Sequence, residues 1–189
     1  MDLIIRWRKW LFVIIVIGGL LTIYERYRTW REDSHDPEIL AAATRYGIHP
    51  ALVKAVVWRE SKFDPEARGR KGELGLMQIM PDTAKDWAAA EKAPMFVFTD
   101  MLIPAKNTRC GAWYLRKLLL RYTATDNPLP YALADYNAGR GNVLRWMQGP
   151  GTTNSAVFVE QIGFPSTKQY VITAMERFEH YRNIPMRKS

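Results

Sequence analysis

Residues 58–83 read WRESKFDPEARGRKGELGLMQIMPDT, which brings a helix end, a glycine-rich loop and a second helix start close together. Upstream, residues 50–58 (PALVKAVVW) put Leu52, Val53, Val56 and Val57 on one helical face. Phe63-Asp64-Pro65 ends that helix, because proline cannot continue it and restricts the residue before it. Glu60 therefore falls in the last turn, where the helix dipole disfavours negative charge, beside apolar Trp58 and Phe63. Both effects raise a carboxyl's pKa, the tuning a general acid needs near neutral pH. An arbitrary Glu at a helix end is simply solvated, so the following loop decides. Gly69, Gly72 and Gly75 punctuate a polar segment, as expected where backbone bends sharply or closely approaches a neighbour. Gln78 offers two amide donors and an acceptor for a sugar's hydroxyls or N-acetyl group, although a Gln between two methionines is also an ordinary loop residue beside a core.

Taken together, ES-x-F-x-P-x-A followed by G-x-x-G-L-M-Q-I-M-P-x-T-A resembles the lytic transglycosylases of the soluble-lytic-transglycosylase (SLT) type. That resemblance implies a mainly α, lysozyme-like catalytic domain with a groove between its lobes. It makes Glu60 the single catalytic acid/base, and it assigns Met77, Gln78 and Met80 to substrate binding. It extends down the chain. Asn107, Gly111, Tyr114 and Leu115 match an N-x-x-x-G-x-x-Y-L segment on a helix expected over residues 104–122, read as architectural with Tyr114 facing the core. Residues 136–139 match the end of an A-Y-N-A-G signature, with Asp135 where Ala is usual, and imply that Tyr136 and Asn137 line the groove. An aromatic and an amide before glycine would equally end a helix. Residues 158–171 resemble I-P-F-x-E-T-R-x-Y-V, making Tyr170 the tyrosine that orients the catalytic carboxylate. Departures are Ser166 for Glu, Gly69 for a Ser near the acid, Gly163 for Pro and Lys168 for Arg.

Around these motifs, Asp36-Pro37 reads as an N-cap and first helical residue, with Gly47 closing that helix. Residues 82–90 read as a short helix, 91–103 and 149–157 as loops, and Ser166-Thr167 as the cap of a last helix reaching about Arg182. One cysteine, Cys110, excludes an intramolecular disulfide, and His35, His49 and His180 lack ligand spacing. No metal and no cofactor are expected.

The N-terminal region differs in kind. Arg6, Arg8 and Lys9 precede an uncharged run at residues 10–24, WLFVIIVIGGLLTIY, closed by Glu25, Arg26 and Arg28. Its fifteen residues make about 22 Å of helix against roughly 30 Å of hydrocarbon. Leu3 to Ile5, snorkelling arginines and Trp7, Trp10 and Tyr24 would extend it. No small-residue cleavage site follows, so an uncleaved, single-pass signal-anchor is expected. The chain then divides into residues 1–31, a cytoplasmic tip with the anchor and the start of a short tether, and residues 32–189, the catalytic domain. The flanking basic residues balance, so the resemblance sets the orientation: inner membrane, with the domain facing periplasm or cell exterior. Of the net charge of +8, half lies in the first 31 residues, and a small RGRK cluster lies at 68–71. That balance suits a carboxylate-rich wall polymer, and no motif supports nucleic acid.

The implied reaction cuts the MurNAc-GlcNAc β-1,4 bond of peptidoglycan. Glu60 acts as general acid and then as base toward the muramoyl 6-hydroxyl, leaving a 1,6-anhydro end. A lysozyme-type hydrolase is the alternative and needs a second carboxylate, with Asp135, Glu73 or Glu160 available. A weakly active wall-binding or scaffold protein is the third reading, favoured by Ser166 and Gly69.

Overall fold

The computed structural model describes residues 2–187, with side chains described throughout except at residues 2–6, 8, 9 and 12. It separates into two units, residues 1–34 and 35–189.

The first unit is one helix, α1 (Asp2–Asp33). Leu11, Ile14, Ile15, Leu20, Leu21 and Ile23 along it are all exposed. The helix continues past Tyr24, so the expected short tether is helical as far as Asp33, and Ser34 and His35 form a turn before the next helix. Residues 25–33 contain no proline or glycine, and Glu25 pairs with Arg28 at 2.8 Å across one turn. Among the described residues no helix is long and apolar enough to cross a membrane. The single-pass span expected over residues 10–24 is therefore not found, in keeping with an uncharged run about 8 Å short of the hydrocarbon core. The extension placed on Leu3 to Ile5, Arg6, Arg8 and Lys9 lies outside the described side chains.

The second unit is mainly α, as expected. Its helices are α2 (Asp36–Tyr46), α3 (Pro50–Ser61), α4 (Pro81–Ala90), α5 (Pro104–Arg121), α6 (Pro128–Ala138), α7 (Arg140–Trp146), α8 (Ser155–Gln161) and α9 (Pro165–Arg182). Five of them start on proline, whose fixed φ suits a first turn and whose missing N–H would be unpaired there anyway. Two short 3-10 turns lie at Phe98–Leu102 and Gly149–Thr152. Extended pairing among the described residues is confined to the glycine-rich loop, as two isolated antiparallel bridges, Arg68 with Leu74 and Leu74 with Ile79.

Helix α3 is the axis of the domain. It is buried at every position from Ala51 to Val57, because α2, α5 and α9 all pack against it. The sequence stripe marked only one apolar face, and the buried Lys54 shows what the other faces meet. Its Nζ donates to Asp36 Oδ1 at 2.7 Å, and both side chains are inaccessible to solvent or nearly so. Asp36 is thus not the N-cap expected: it lies inside the first turn of α2, the cap position is His35, and the second oxygen of Asp36 accepts the Arg187 N–H at 3.0 Å.

Local signals elsewhere fared unevenly. Gly47 ends α2 in the left-handed region as expected, and Asn127 caps α6 by accepting the Leu129 N–H at 3.1 Å. Residues 149–157 are not all loop, because Asn154 accepts the Val157 N–H and starts α8. The turn at Phe98–Leu102 likewise interrupts the loop expected over 91–103. Ser166 and Thr167 do not cap α9, which begins at Pro165 after Phe164. Cys110 is buried, and burial pushes its thiol pKa well up, consistent with a packed, inert residue.

Candidate active site

Glu60 sits in the last turn of α3, which ends as Lys62 and then Phe63 both take positive φ, 53° and 64°. Those two residues swing the chain away, and Phe63 is driven into the core at 2% exposure. The Glu60 carboxyl is left at the edge of a cleft of about 370 Å³. The cleft is bordered by Glu60, Lys71, Glu73, Gln78, Ile79, Met80, Thr83, Tyr114, Asp135, Tyr136, Asn137 and Gly139.

Burial pushes the pKa of Glu60 up to about 7; a hydrogen bond from Tyr170 and the nearby Arg59 pull it down, while Glu73 adds to the rise. Tyr170 Oη donates to Glu60 Oε1 at 2.6 Å across a sequence separation of 110 residues. Tyr170 is almost wholly buried in α9, and burial holds its own pKa well above the usual tyrosine value. It can therefore donate to Glu60 in either of that residue's charge states without ionising. A carboxyl that titrates near neutrality, faces an open cleft and is fixed by a neutral donor can both give and take a proton.

The loop of residues 67–79 forms one wall, and Asn107 on α5 holds it. Fully buried, Asn107 accepts the Met77 N–H at 2.8 Å and donates to the carbonyls of Leu74 at 2.8 Å and Met101 at 2.7 Å. Gly75 is obligatory here: its φ is +74°, and a Cβ would lie 2.2 Å from the Met101 carbonyl oxygen. Met77 is not a groove residue, contrary to the expectation. It is completely buried, its sulfur packs where Gly111 leaves room, and its carbonyl accepts the Tyr136 hydroxyl at 2.7 Å. Gln78 borders the cleft, but both donors of its amide go to backbone carbonyls, of Ala67 at 3.1 Å and Gly75 at 3.0 Å. Its N–H donors brace the loop, while the residue itself stays in the cleft lining. The positive φ of Gln78, 47°, turns its side chain back across the loop.

Met80 is exposed at the cleft edge, and Asn137 is exposed with its Oδ1 accepting the Thr167 hydroxyl at 2.8 Å. Tyr136 is half-buried, and burial raises its pKa well above the usual value. Tyr114, read from sequence as a core residue, also borders the cleft and packs against Tyr136 with ring centroids 5.5 Å apart. Asp135 was left open by the sequence; it is buried and paired with Arg121 and with Tyr122, whose hydroxyl donates at 2.7 Å. Glu160 lies outside the cleft lining, exposed and paired with Lys168 at 2.5 Å. Of the departures, Gly69 has a local reason: a Cβ there would sit 2.1 Å from Glu73 Oε2, so the Glu73 carboxylate fills the space of a side chain. Ser166 is exposed, and nothing in the structure explains it.

A helical domain with a half-buried, high-pKa glutamate beside a glycine-rich loop defines a class, and comparison with known proteins agrees. Residues 37–159 match the transglycosylase SLT domain, and the chain belongs to that family. It is 32% identical over 146 residues to the soluble lytic murein transglycosylase of Salmonella typhimurium, covering 74% of this chain and 22% of that protein. It is 36% identical over 124 residues to membrane-bound lytic murein transglycosylase F of Desulfosudis oleivorans, covering 64% of this chain and 24% of the relative. Among solved structures, lytic transglycosylase Slt from Pseudomonas aeruginosa, an inactive mutant, superposes with a TM-score of 0.69 at 30% identity, over 78% of this chain and 24% of that one. The chain thus spans about a quarter or less of the length of these relatives.

Proposed function

We propose that this protein is a peptidoglycan lytic transglycosylase with Glu60 as its one acid/base. The observation that carries the reading is the Glu60–Tyr170 pair: a carboxyl lifted to about 7, hydrogen-bonded at 2.6 Å and bordering a cleft. In the first step the protonated Glu60 gives its proton to the glycosidic oxygen between N-acetylmuramic acid and N-acetylglucosamine, and that bond breaks. The substrate's own 2-acetamido oxygen stabilises the cationic carbon. Glu60, now a carboxylate, takes the proton of the muramoyl 6-hydroxyl as that oxygen bonds to C1. The product is a 1,6-anhydro end; water is not consumed, and Glu60 ends protonated as it began.

The names of the relatives support this substrate and reaction, and the paired state of Asp135 together with the position of Glu160 weakens the hydrolase reading. Glu73 keeps that reading open, since it borders the cleft and is close enough to raise the pKa of Glu60. Asn137, Tyr136 and Met80 are the proposed saccharide contacts. The test is release of soluble fragments from purified peptidoglycan. Wild type releases them, while Glu60→Gln, with its fold intact, releases none. Equal release by both proteins contradicts the assignment.

Helix α1 attaches the domain to the inner membrane, with the domain on the periplasmic side where peptidoglycan lies. The exposed apolar residues from Leu11 to Ile23 and the membrane-bound relative support attachment. The protein is expected to sediment with membranes. Recovery in the soluble fraction contradicts it.

A further inference from the structure

Asp135 borders the cleft from α6 at 1% exposure, and its two oxygens have different surroundings. Oδ2 accepts hydrogen bonds from the Arg121 guanidinium and from Tyr122 Oη. Oδ1 is buried and has no partner among the described residues. Leaving a buried carboxylate oxygen without a donor is costly, so such an atom in a folded protein calls for a donor. Arg121 already balances the charge, which makes Oδ1 an acceptor for a neutral donor rather than a cation site. The two bonds on Oδ2 fix the side chain, so Oδ1 is held in place before anything binds. Tyr114, on the same cleft, has no hydrogen bond from its hydroxyl among the described residues, and the Asp135 charge contributes, after burial, to raising its pKa. An acceptor and a hydroxyl thus both belong to cleft-lining residues, on α6 and α5.

We propose that Asp135 Oδ1 is a glycan subsite, accepting a hydrogen bond from a sugar N–H or O–H in the cleft. It would be a specificity residue with no part in proton transfer. The inference rests on the glycan-cleaving reading above. Exchanging the carboxylate for an amide sharpens the test. In Asp135→Asn the amide oxygen keeps the bonds from Arg121 and Tyr122 and the NH2 takes the place of Oδ1, so an acceptor becomes a donor at the same position.

The experiment measures chitotetraose binding by calorimetry to the full-length protein carrying Glu60→Gln, which removes turnover. Asp135, Asp135→Asn and Asp135→Ala are compared in that background, with a thermal melt of each. The expected result is a loss of affinity of about tenfold in both variants, the worth of roughly one hydrogen bond to a charged group. A melting temperature that falls while the affinity of the folded protein stays within about twofold means a purely structural Asp135, and overturns the proposal. No chitotetraose binding by the Glu60→Gln protein with Asp135 intact overturns the glycan reading itself, and this inference with it.

Discussion

The burial of Glu60 has a thermodynamic consequence that can be measured without substrate. In the fold its pKa is about 7, against an ordinary 4.5 for an unfolded chain. Between those values the folded state keeps a proton that the unfolded state has lost, so stability falls as pH rises through this window. Below it both states are protonated and Glu60 contributes nothing; above it the whole penalty applies. A shift of about 2.5 units at about 1.4 kcal/mol each gives a penalty of about 3 kcal/mol. Glu60→Gln removes the titration and keeps an oxygen to accept the Tyr170 hydroxyl. Melts of wild type and variant in one detergent, at matched pH values from about pH 4 to about pH 8, isolate this term from every other titrating group. The variant gains about 3 kcal/mol relative to wild type across the series, or roughly 6–12 °C for a chain of this size. A difference that is flat with pH refutes the claim that burial holds this carboxyl protonated.

Other perturbations separate the parts of the site. Tyr170→Phe deletes the donor to Glu60 Oε1; since that bond favours the carboxylate, the alkaline limb of the kcat/KM profile moves to higher pH and the rate falls by about tenfold. An unmoved limb contradicts the pairing. Gly75→Ala forces a Cβ onto the Met101 carbonyl at positive φ, and urea unfolding should show a loss of at least about 2 kcal/mol. Asn107→Ala removes three buried hydrogen bonds, with an expected loss of about 3 kcal/mol and of most activity as the loop loosens. Full activity in that variant would show that the wall does not depend on α5.

What the sequence displayed well was punctuation. Proline after Phe63 and the positive-φ Gly75 depend on backbone sterics that any chain obeys, so the end of α3 and the loop were legible before packing was known. The direction of side chains was not. Gln78 and Met77 are neighbours in one motif, yet one braces the loop with its amide and the other is buried under α5, because loop dihedrals and the bonds of Asn107 decide which way each points. Tyr114 carries the same ambiguity: an aromatic on an amphipathic helix packs inward, and only the approach of α6 makes its inner face a cleft wall. Lys54 and Asp36 were invisible as a pair, since a buried charge shows itself only through its partner. Helix α8 was obscured by its neighbours, where glycine, proline and threonine dominate until Asn154 supplies the cap.

The central claim is that Glu60 serves one substrate as acid and then base, with the sugar's own hydroxyl closing the ring. Digesting purified peptidoglycan in heavy-oxygen water and weighing the new glycan ends tests it most directly. Anhydro-muramoyl ends without heavy oxygen, absent from Glu60→Gln digests, are the predicted result. Reducing ends that carry the label would show that water attacks, contradict the account, and turn attention to Glu73.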